Sequence, residues 1–564
     1  MSSPVRRSFV PALLLALLLG VTAAAAPVVV AAKPPPSTRV AGIDLDKTTI
    51  PRLQRLMDRH RLSSVQLTRF YLQRIRRLEP KLDTIIALNP KALADARAAD
   101  RARRRGVDKP LLGIPVLLKD NINTTGMPTT AGSWALAGSR PRDAFIVKRL
   151  RAAGAVILGK LNLSEWANFR SNPSSSGWSG IGGQTNMPYV LDRNPCGSSS
   201  GSGVAAAANL ATVTVGTETD GSIVCPSGAN AVVGIKPTLG LLSRSGIIPI
   251  SADQDTAGPM TRNVTDAAVM LGVMTGVDPK DPATADQRGH AFRDYTKFLD
   301  KRALRGARIG VWREGTYDPA ISPEVHAILN ETIEVLEDQG ATVIDNTRIP
   351  IEPAYGPEFT ALLCEFKDDI ATYLETYTRP RFPKTLQDLI DFNEANPDLE
   401  GPWNSQLFVD AQATGGRASA ECQEAREFAT STAQAAIDDL MEAQDLDAII
   451  APTNGPAWVT DPVNGDLGGD FSTFVGSSSP SAIAGYANIT VPAGFAGPLP
   501  IGVSFIGGEW DEPELIGLAY DFEQASQARR PPRFLSTTSF GTSSARQSGS
   551  ADQRRTEAVG RIGR

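Results

Sequence analysis

The spacing of apolar residues predicts helices along much of the chain. From residue 50 to 77, apolar side chains recur every three or four positions with arginine and glutamine between them, as on amphipathic helices. Ser63, with Gln66 three residues later, is typical of a helix start. Further helices are predicted at residues 90–105, 145–153, 204–210, 323–339 and 420–443.

Short apolar runs between the helices predict buried strands. They lie at residues 114–118, 155–158, 213–215, 231–235, 448–451, 489–491 and 501–506. The alternation of such runs with helices is typical of an α/β domain with a mainly buried sheet. The more charged, helical stretch at residues 278–436 is expected to pack around the sheet or to cover part of a site.

Both ends of the chain depart from this pattern. Arg6 and Arg7 precede an apolar run that ends in small residues near position 26, which predicts an export signal over residues 1–32, compatible with the twin-arginine route. A membrane anchor is the alternative, which the prolines on both sides of the run disfavour. Residues 33–44 are interpreted as a proline-rich linker, residues 45–532 as the folded domain, and residues 533–564 as a disordered tail.

Composition narrows the classes of function. The 564 residues carry a net charge of −4, which provides no basic field for nucleic acid, and beyond the signal no stretch is apolar enough to cross a membrane. The sequence has three histidines and neither an HExxH nor a CxxC motif, which disfavours zinc. A hydrolase with this sequence is therefore expected to transfer protons without histidine.

Glycine and small hydroxyl residues concentrate in two runs. Residues 196–203 have the sequence CGSSSGSG, and residues 216–223 have the sequence GTETDGSI. Such runs let backbone N–H groups approach a ligand closely. Apolar segments flank both runs directly, so a flexible linker is rejected.

Two motif matches fail in their context. Residues 197–201 fit the GxSxG nucleophile elbow around Ser199, but a loop precedes them where a strand is required. Residues 154–160 fit GxxxxGK, but Leu161 stands where a phosphate-binding loop needs Ser or Thr. Neither match is kept as a functional site.

A lysine at the end of a predicted strand is the candidate base. Burial would lower the pKa of Lys119 and populate its neutral amine, which activates a serine nucleophile. An ion pair with Asp120, or exposure to solvent, is the equally weighted alternative.

Several ordered motifs resemble the amidase signature family of serine hydrolases over roughly residues 45–532. The motifs are GIPVLLKDN at residues 113–121, CGSSSGS at 196–202, GTETDGSI at 216–223, GIKPT at 234–238 and DTAGP at 255–259. The resemblance implies a single large α/β domain with a central mixed, twisted sheet covered by helices. It also implies a Ser-Ser-Lys triad that needs neither a metal nor an organic cofactor.

The resemblance assigns roles to individual residues. Ser222 corresponds to the nucleophile, Ser198 to the bridging serine after a cis peptide bond, and Lys119 to the base. Ser199 and Asp255 are candidate supporting residues. The oxyanion hole corresponds to the backbone N–H groups of Thr219, Asp220, Gly221 and Ser222.

Three features depart from the family's common pattern. Cys196 and Ser200 replace glycines, and Asp220 also stands where many members have glycine. Val224 stands where many members have arginine, and the loss of that cation predicts a neutral or apolar acyl group.

Other residues are left open by the sequence. Ser199 and Thr219 either support the triad or are turn residues. Cys364 and Cys422 either pair or are free thiols, whereas Cys196 and Cys225 are expected to pack in the interior. Four aromatic residues belong either to a substrate pocket or to the core: Trp134, Trp178, Trp458 and Tyr486.

The leading hypothesis is a secreted or periplasmic amidase, monomeric or homodimeric, that acts on small-molecule or peptide amides without a membrane or nucleic-acid partner. It would convert a carboxylic or peptide C-terminal amide to acid and ammonia through a serine acyl-enzyme. The glutaminase-type subunit of a tRNA amidotransferase is an alternative that the export signal disfavours. A silent secreted binding protein on the same scaffold is another, which the intact Lys119, Ser198 and Ser222 disfavour.

Overall fold

A large mixed sheet organises the molecule. The computed structural model describes residues 36–313, 323–466 and 476–540. Its strands are β1 (Arg39–Val40), β2 (Ile43–Asp44), β3 (Ile85–Leu88), β4 (Pro115–Lys119), β5 (Val156–Leu161), β6 (Trp178–Ser179), β7 (Gly183–Gln184), β8 (Val213–Glu218), β9 (Val233–Lys236), β10 (Thr256–Thr261), β11 (Arg308–Trp312), β12 (Thr342–Thr347), β13 (Ala448–Pro452), β14 (Asn488–Ala496) and β15 (Leu499–Ile506).

Eleven strands of the described chain form one sheet in the order β12-β11-β13-β15-β14-β9-β10-β8-β4-β5-β3. Strand β4 pairs in parallel with both β5 and β8, whereas β10 pairs antiparallel with β8 and β9. Every residue of β4, β5 and β8 is buried, which explains the mainly apolar sequences of β4 and β5. The expected fold, a single α/β domain with a mixed sheet flanked by helices, is confirmed.

Helices cover the sheet. The α-helices are α1 (Ile50–Asp58), α2 (Ser64–Leu82), α3 (Ala92–Arg104), α4 (Phe145–Ala152), α5 (Ser200–Ala207), α6 (Val224–Ala229), α7 (Val264–Met274), α8 (Pro323–Asp338), α9 (Tyr355–Tyr377), α10 (Leu386–Ala395), α11 (Pro397–Glu400), α12 (Gln406–Ala413), α13 (Ala420–Gln444), α14 (Ser479–Ala484) and α15 (Glu512–Ser526). Short 3-10 turns lie at Leu45–Lys47, Trp134–Leu136, Glu165–Asn168, Pro282–Ala285, Thr296–Phe298 and Glu352–Ala354.

Local signals place the first long helix where the sequence predicts it. Ser63 accepts a hydrogen bond from the backbone of Gln66, and the Gln66 side chain accepts one from the backbone of Ser63. The apolar stripe of α2, which includes Leu67, Tyr71 and Ile75, is buried against the core.

Strand β10 is not predicted from the sequence, because its residues resemble a turn. It contains Gly258 and Pro259, yet it lies between β8 and β9 in the sheet. A Cβ at position 258 would come within 1.9 Å of the carbonyl oxygen of Ile235, so glycine is required for the two strands to approach.

The two ends of the described chain pack on the domain. Arg74 donates hydrogen bonds to the carbonyls of residues 36 and 37, next to the β1–β2 ribbon. The backbone N–H groups of Phe534 and Leu535 donate to residues 188 and 189, and Arg193 donates to the carbonyl of Phe540 at 2.7 Å. Residues 533–540, assigned to the tail from sequence, therefore contact the domain.

Two sequence predictions concern residues outside the described ranges: the export signal at 1–32 and the tail beyond residue 540. None of the helices in the described ranges combines the length and the apolar character that crossing a bilayer requires.

Candidate active site

Lys119 ends strand β4 and is fully buried. Its Nζ lies 2.8 Å from Oγ of Ser198, and it also contacts the hydroxyl of Thr217 at 2.9 Å and the Thr217 carbonyl at 3.2 Å. Because β8 lies directly beside β4, the sheet itself brings Thr217 to the lysine. The structure thus joins Lys119 to Ser198, as the family resemblance implies.

Burial controls the protonation of this lysine. Loss of solvation lowers the pKa of Lys119 to about 7, although the carboxylates of Asp255 and Glu218 act in the opposite direction. Asp120 does not pair with Lys119; it pairs instead with the buried Lys160, at 2.9 Å. The ion-pair alternative for Lys119 is therefore wrong.

The segment that carries Ser198 is tied to the segment that carries Ser222. The Gly197–Ser198 peptide bond is cis. The backbone N–H of Ser199 donates to the carbonyl of Ser222 at 3.1 Å, and the Ser199 hydroxyl donates to the Thr217 carbonyl at 2.9 Å. Ser199 thus connects both serine segments to strand β8.

Ser222 follows β8 in the turn that leads into α6, and 7% of its surface is exposed. In the described chain its hydroxyl makes no hydrogen bond, and the N–H groups of residues 219–222 donate none either. The next two N–H groups, of residues 223 and 224, donate to the carboxylate of Glu218 at 2.7 and 3.0 Å. The N–H groups of residues 219–222 therefore have no hydrogen-bond partner within the described chain.

Asp255 and Asp220 hold the flanks of this turn. The Thr219 hydroxyl donates to Asp255, whose other oxygen accepts the N–H groups of Ile250 and Ser251 at 2.8 and 3.2 Å. Burial raises the pKa of Asp255 to about 7. The Asp220 carboxylate accepts a hydrogen bond from the hydroxyl of Ser478.

Three residues of the site have no role assigned from sequence. The Asn121 amide donates at 2.9 Å to the same Thr217 hydroxyl that contacts the Lys119 amine. Gln254 donates to the Thr219 carbonyl at 3.0 Å and to Glu358 at 2.6 Å, which links helix α9 to the site. Asn121 and Thr217 belong to the quoted motifs, but motif membership does not indicate which atoms meet.

The four cysteines form two disulfides. Cys364 and Cys422 are paired, which settles a question that the sequence leaves open. Cys196 and Cys225 pack in the interior, as expected, and are in addition paired with each other, which the sequence does not predict. No local pattern indicates this second pair, because the two cysteines meet only when the two serine segments come together.

The aromatic candidates divide between core and surface. Trp458 packs against the Cys196–Cys225 pair, and the Tyr486 hydroxyl donates to Asp438 at 2.8 Å. Trp134 is 39% exposed, and Trp178 meets Trp403 edge to face. Among the residues described, no group of three or more His, Cys, Asp or Glu side chains is arranged to hold a metal ion.

Comparisons with known proteins show the family of the chain. The sequence model of the family described as Amidase matches residues 66–516. The solved peptide amidase from Stenotrophomonas maltophilia is 49% identical, with a TM-score of 0.82, over 86% of this chain and 99% of that one.

Two curated relatives, an amidase and an amidotransferase subunit, differ in their sequence identity to this chain. A probable amidase from Arabidopsis thaliana is 41% identical over 505 residues, which cover 87% of this chain and 92% of the relative. One subunit of the glutamyl-tRNA(Gln) amidotransferase from Thermoanaerobacter pseudethanolicus is 33% identical over 87% of this chain and 99% of its own length. The chain belongs to the amidase family and is an amide hydrolase.

Proposed function

We propose that this amidase hydrolyses a peptide C-terminal amide, or a small carboxylic amide, through an acyl-enzyme on Ser222. The observation that carries the proposal is the 2.8 Å contact between the buried Lys119 amine and the Ser198 hydroxyl, on a segment bonded to the Ser222 backbone. The similarity to a solved peptide amidase supports the peptide substrate.

The reaction begins with proton transfer toward the lysine. A pKa of about 7 leaves a large fraction of Lys119 neutral at neutral pH. The amine takes the Ser198 proton while Ser198 takes the proton of Ser222, so that Oγ of Ser222 attacks the amide carbon. Negative charge then develops on the carbonyl oxygen, where the N–H groups of residues 219–222 stabilise it.

The same groups complete the turnover. Ser198 returns a proton to the leaving nitrogen, ammonia departs, and the acyl group remains on Ser222. A water molecule then attacks the acyl-enzyme, with Lys119 and Ser198 accepting its proton, and releases the acid. Ser198 finally returns a proton to Oγ of Ser222 as the acyl bond breaks, so Lys119 and Ser198 are the protein groups that accept and donate protons throughout.

The surroundings of Ser222 favour an acyl group without a negative charge. Val224 stands where many family members have arginine; it is 1% exposed and begins α6, with its N–H bonded to Glu218. Asp220 adds a carboxylate next to the proposed oxyanion hole. A substrate carboxylate would meet repulsion from an ionised Asp220 here.

The amidotransferase alternative has less support. Identity to the peptide amidase structure is 49%, against 33% to the amidotransferase subunit. A catalytically silent scaffold would not need a buried lysine with its pKa lowered to about 7 beside a serine.

We also propose that the enzyme acts outside the cytoplasm, after removal of residues 1–32. The charged and apolar pattern of that segment supports export. Two disulfides in one chain support an oxidising compartment. Cell fractionation and N-terminal sequencing of the purified protein test this; a cytoplasmic protein that retains residues 1–32 would contradict it.

The catalytic proposal is tested by serine replacement. Ser222→Ala is expected to lower kcat by about a thousandfold or more, because the acyl-enzyme can no longer form. The assay measures ammonia released from peptide amides, aliphatic amides, aromatic amides and free glutamine. Ser227→Ala is the matched control: Ser227 is buried nearby with an unbonded hydroxyl, and its loss should leave kcat unchanged.

Two outcomes would count against the proposal. Near wild-type turnover by Ser222→Ala would refute the serine mechanism. Hydrolysis of glutamine in strong preference to every peptide amide would favour the glutaminase alternative.

A further inference from the structure

The disulfide between Cys196 and Cys225 connects the two segments that carry the proposed catalytic serines. Cys196 lies two residues before Ser198, and Cys225 lies three residues after Ser222. We infer that this bond is a covalent clamp that positions Ser198 against Ser222, and that turnover depends on it. The inference rests on the proposed function, because it assumes that both serines act in one relay.

Each end of the disulfide is attached directly to a proposed catalytic element. The Cys225 N–H donates to the carbonyl of Gly221 at 2.9 Å, within the proposed oxyanion turn. The Cys196 carbonyl accepts a hydrogen bond from the Ser200 hydroxyl at 2.6 Å, across the cis peptide that precedes Ser198. A shift of either cysteine therefore moves backbone that the reaction uses.

Apart from the disulfide, the bonds between the two serine segments are made by Ser199, which bonds to Thr217 and to Ser222. In the described structure a single backbone hydrogen bond, from Ser199 to Ser222, joins residues 196–199 directly to residues 221–225. A misplacement of about 1 Å in such a relay is enough to cost about a hundredfold in rate. A covalent link at this junction restricts that displacement.

The backbone at Cys196 also points to a specific role for the bond. Its φ is +59°, in the left-handed region that favours glycine, and many family members have glycine at this position. A cysteine is unfavourable there unless its side chain brings a compensating gain. The bond to Cys225, packed with Trp458 and about 5% exposed, supplies that gain.

The second disulfide provides a matched control within the same chain. Cys364 and Cys422 join helices α9 and α13, and their sequence separation is 58 residues, against 29 for the clamp. In the chain-entropy account, the longer loop contributes more to stability. Removal of the clamp is therefore expected to lower kcat more, and removal of the Cys364–Cys422 disulfide to lower the melting temperature more.

The test compares Cys196→Gly/Cys225→Ala with Cys364→Ala/Cys422→Ala on a peptide amide. Glycine is chosen at 196 because it accepts the left-handed backbone without strain. The clamp variant should lose about tenfold or more in kcat, with KM changed by less than about twofold. The control variant should keep kcat within about twofold and show the larger fall in Tm.

Reduction of the wild-type protein distinguishes the effect of the disulfide bond on activity from the effect of cysteine side-chain packing. Dithiothreitol delivers two electrons and two protons to the paired sulfurs and closes to its cyclic disulfide, so both cysteines keep all their side-chain atoms. Iodoacetamide labelling, read by mass spectrometry, reports the fraction of Cys196 and Cys225 reduced. Activity should fall in proportion to that fraction while circular dichroism stays native, and reoxidation should restore it.

The clamp is refuted if the reduced enzyme or the folded clamp variant keeps wild-type kcat. It is also refuted if activity falls only in step with unfolding. If the clamp variant does not fold, the reduction experiment decides. Ser222→Ala separates the two proposals: an active Ser222→Ala enzyme defeats the proposed function, whereas an inactive one beside a fully active clamp variant defeats the clamp alone.

Discussion

A lysine acts as a base only when its amine is neutral, and Lys119 approaches that state because it lies at the buried end of a central strand. Its partners are a serine, a threonine and a carbonyl, and no carboxylate contacts its Nζ in the described chain. The family motifs indicate which lysine to choose. The low pKa follows from its surroundings, which the motif does not contain.

The value of kcat/KM should therefore rise with pH around neutrality. As pH rises through about 7, Lys119 loses its proton and kcat/KM should increase, reaching a plateau above about pH 8. The measurement is kcat/KM for a neutral peptide amide across that range. A profile that is flat between about pH 6 and 8 would contradict a lysine base.

Replacing Asp255 should move this profile. The Asp255 carboxylate raises the pKa of Lys119, so Asp255→Asn removes that effect and shifts the acid limb to lower pH. Asp253→Asn is the control, because Asp253 pairs with Arg417 and is not among the charges that act on Lys119. An acid limb that stays in place, or moves to higher pH, in Asp255→Asn would contradict the assignment.

At the scale of elements, a second buried lysine forms an ion pair in the same part of the sheet. Lys160 of β5 pairs with Asp120, directly after β4, and both side chains are fully buried. Asp120 also accepts the N–H of Thr130 at 3.0 Å, so the pair joins β5 to two loop positions. In the sequence, Lys160 belongs only to the GxxxxGK match, which is not kept as a site.

Removing only the carboxylate of this ion pair should destabilise the protein. Asp120→Ala leaves the Lys160 amine buried without its partner and should lower the free energy of unfolding by about 3–5 kcal/mol. Urea denaturation measures the change. Asp120→Ala/Lys160→Met should lose less than the single variant, because no charge is then left buried; a single-variant loss below about 1 kcal/mol would contradict the argument.

Helices and strands differ in how far the sequence predicts them. Helix α2 is predicted from its capping box and apolar stripe, which are local features. Strand β10 is not, because Gly258 is needed for contact with β9, and that neighbour is invisible in the local sequence. An element whose residues are determined by contact with a neighbouring strand shows the weakest local sequence pattern.

At the scale of the whole molecule, residues 534–540 pack against earlier parts of the domain. Residues 534 and 535 bond to residues 188 and 189, and Phe540 packs beside Gly497. The sequence alone places the end of the domain at 532, because the composition after that point is polar and rich in small residues.

A chain that ends at residue 532 should therefore be less stable than one that ends at 540. It loses five hydrogen bonds made by the backbone of residues 534–540 and the partial burial of Leu535 and Phe540, together worth at least about 3 kcal/mol. Thermal unfolding of the two chains, each started at the same residue, measures the difference. Equal melting temperatures would show that residues 533–540 do not contribute to the fold.

By itself, the sequence determined the fold class, about half of the helices and strands that the structure describes, and the amidase family, because periodicity, helix caps and ordered motifs are local features of the chain. Only the tertiary structure decided which side chains meet. Lys119 and Asp120 are neighbours, yet successive side chains of an extended chain point to opposite faces, so one reaches Ser198 and the other Lys160. The pairing of Cys196 with Cys225 has the same origin: residues distant in the chain become partners when the sheet brings their segments together.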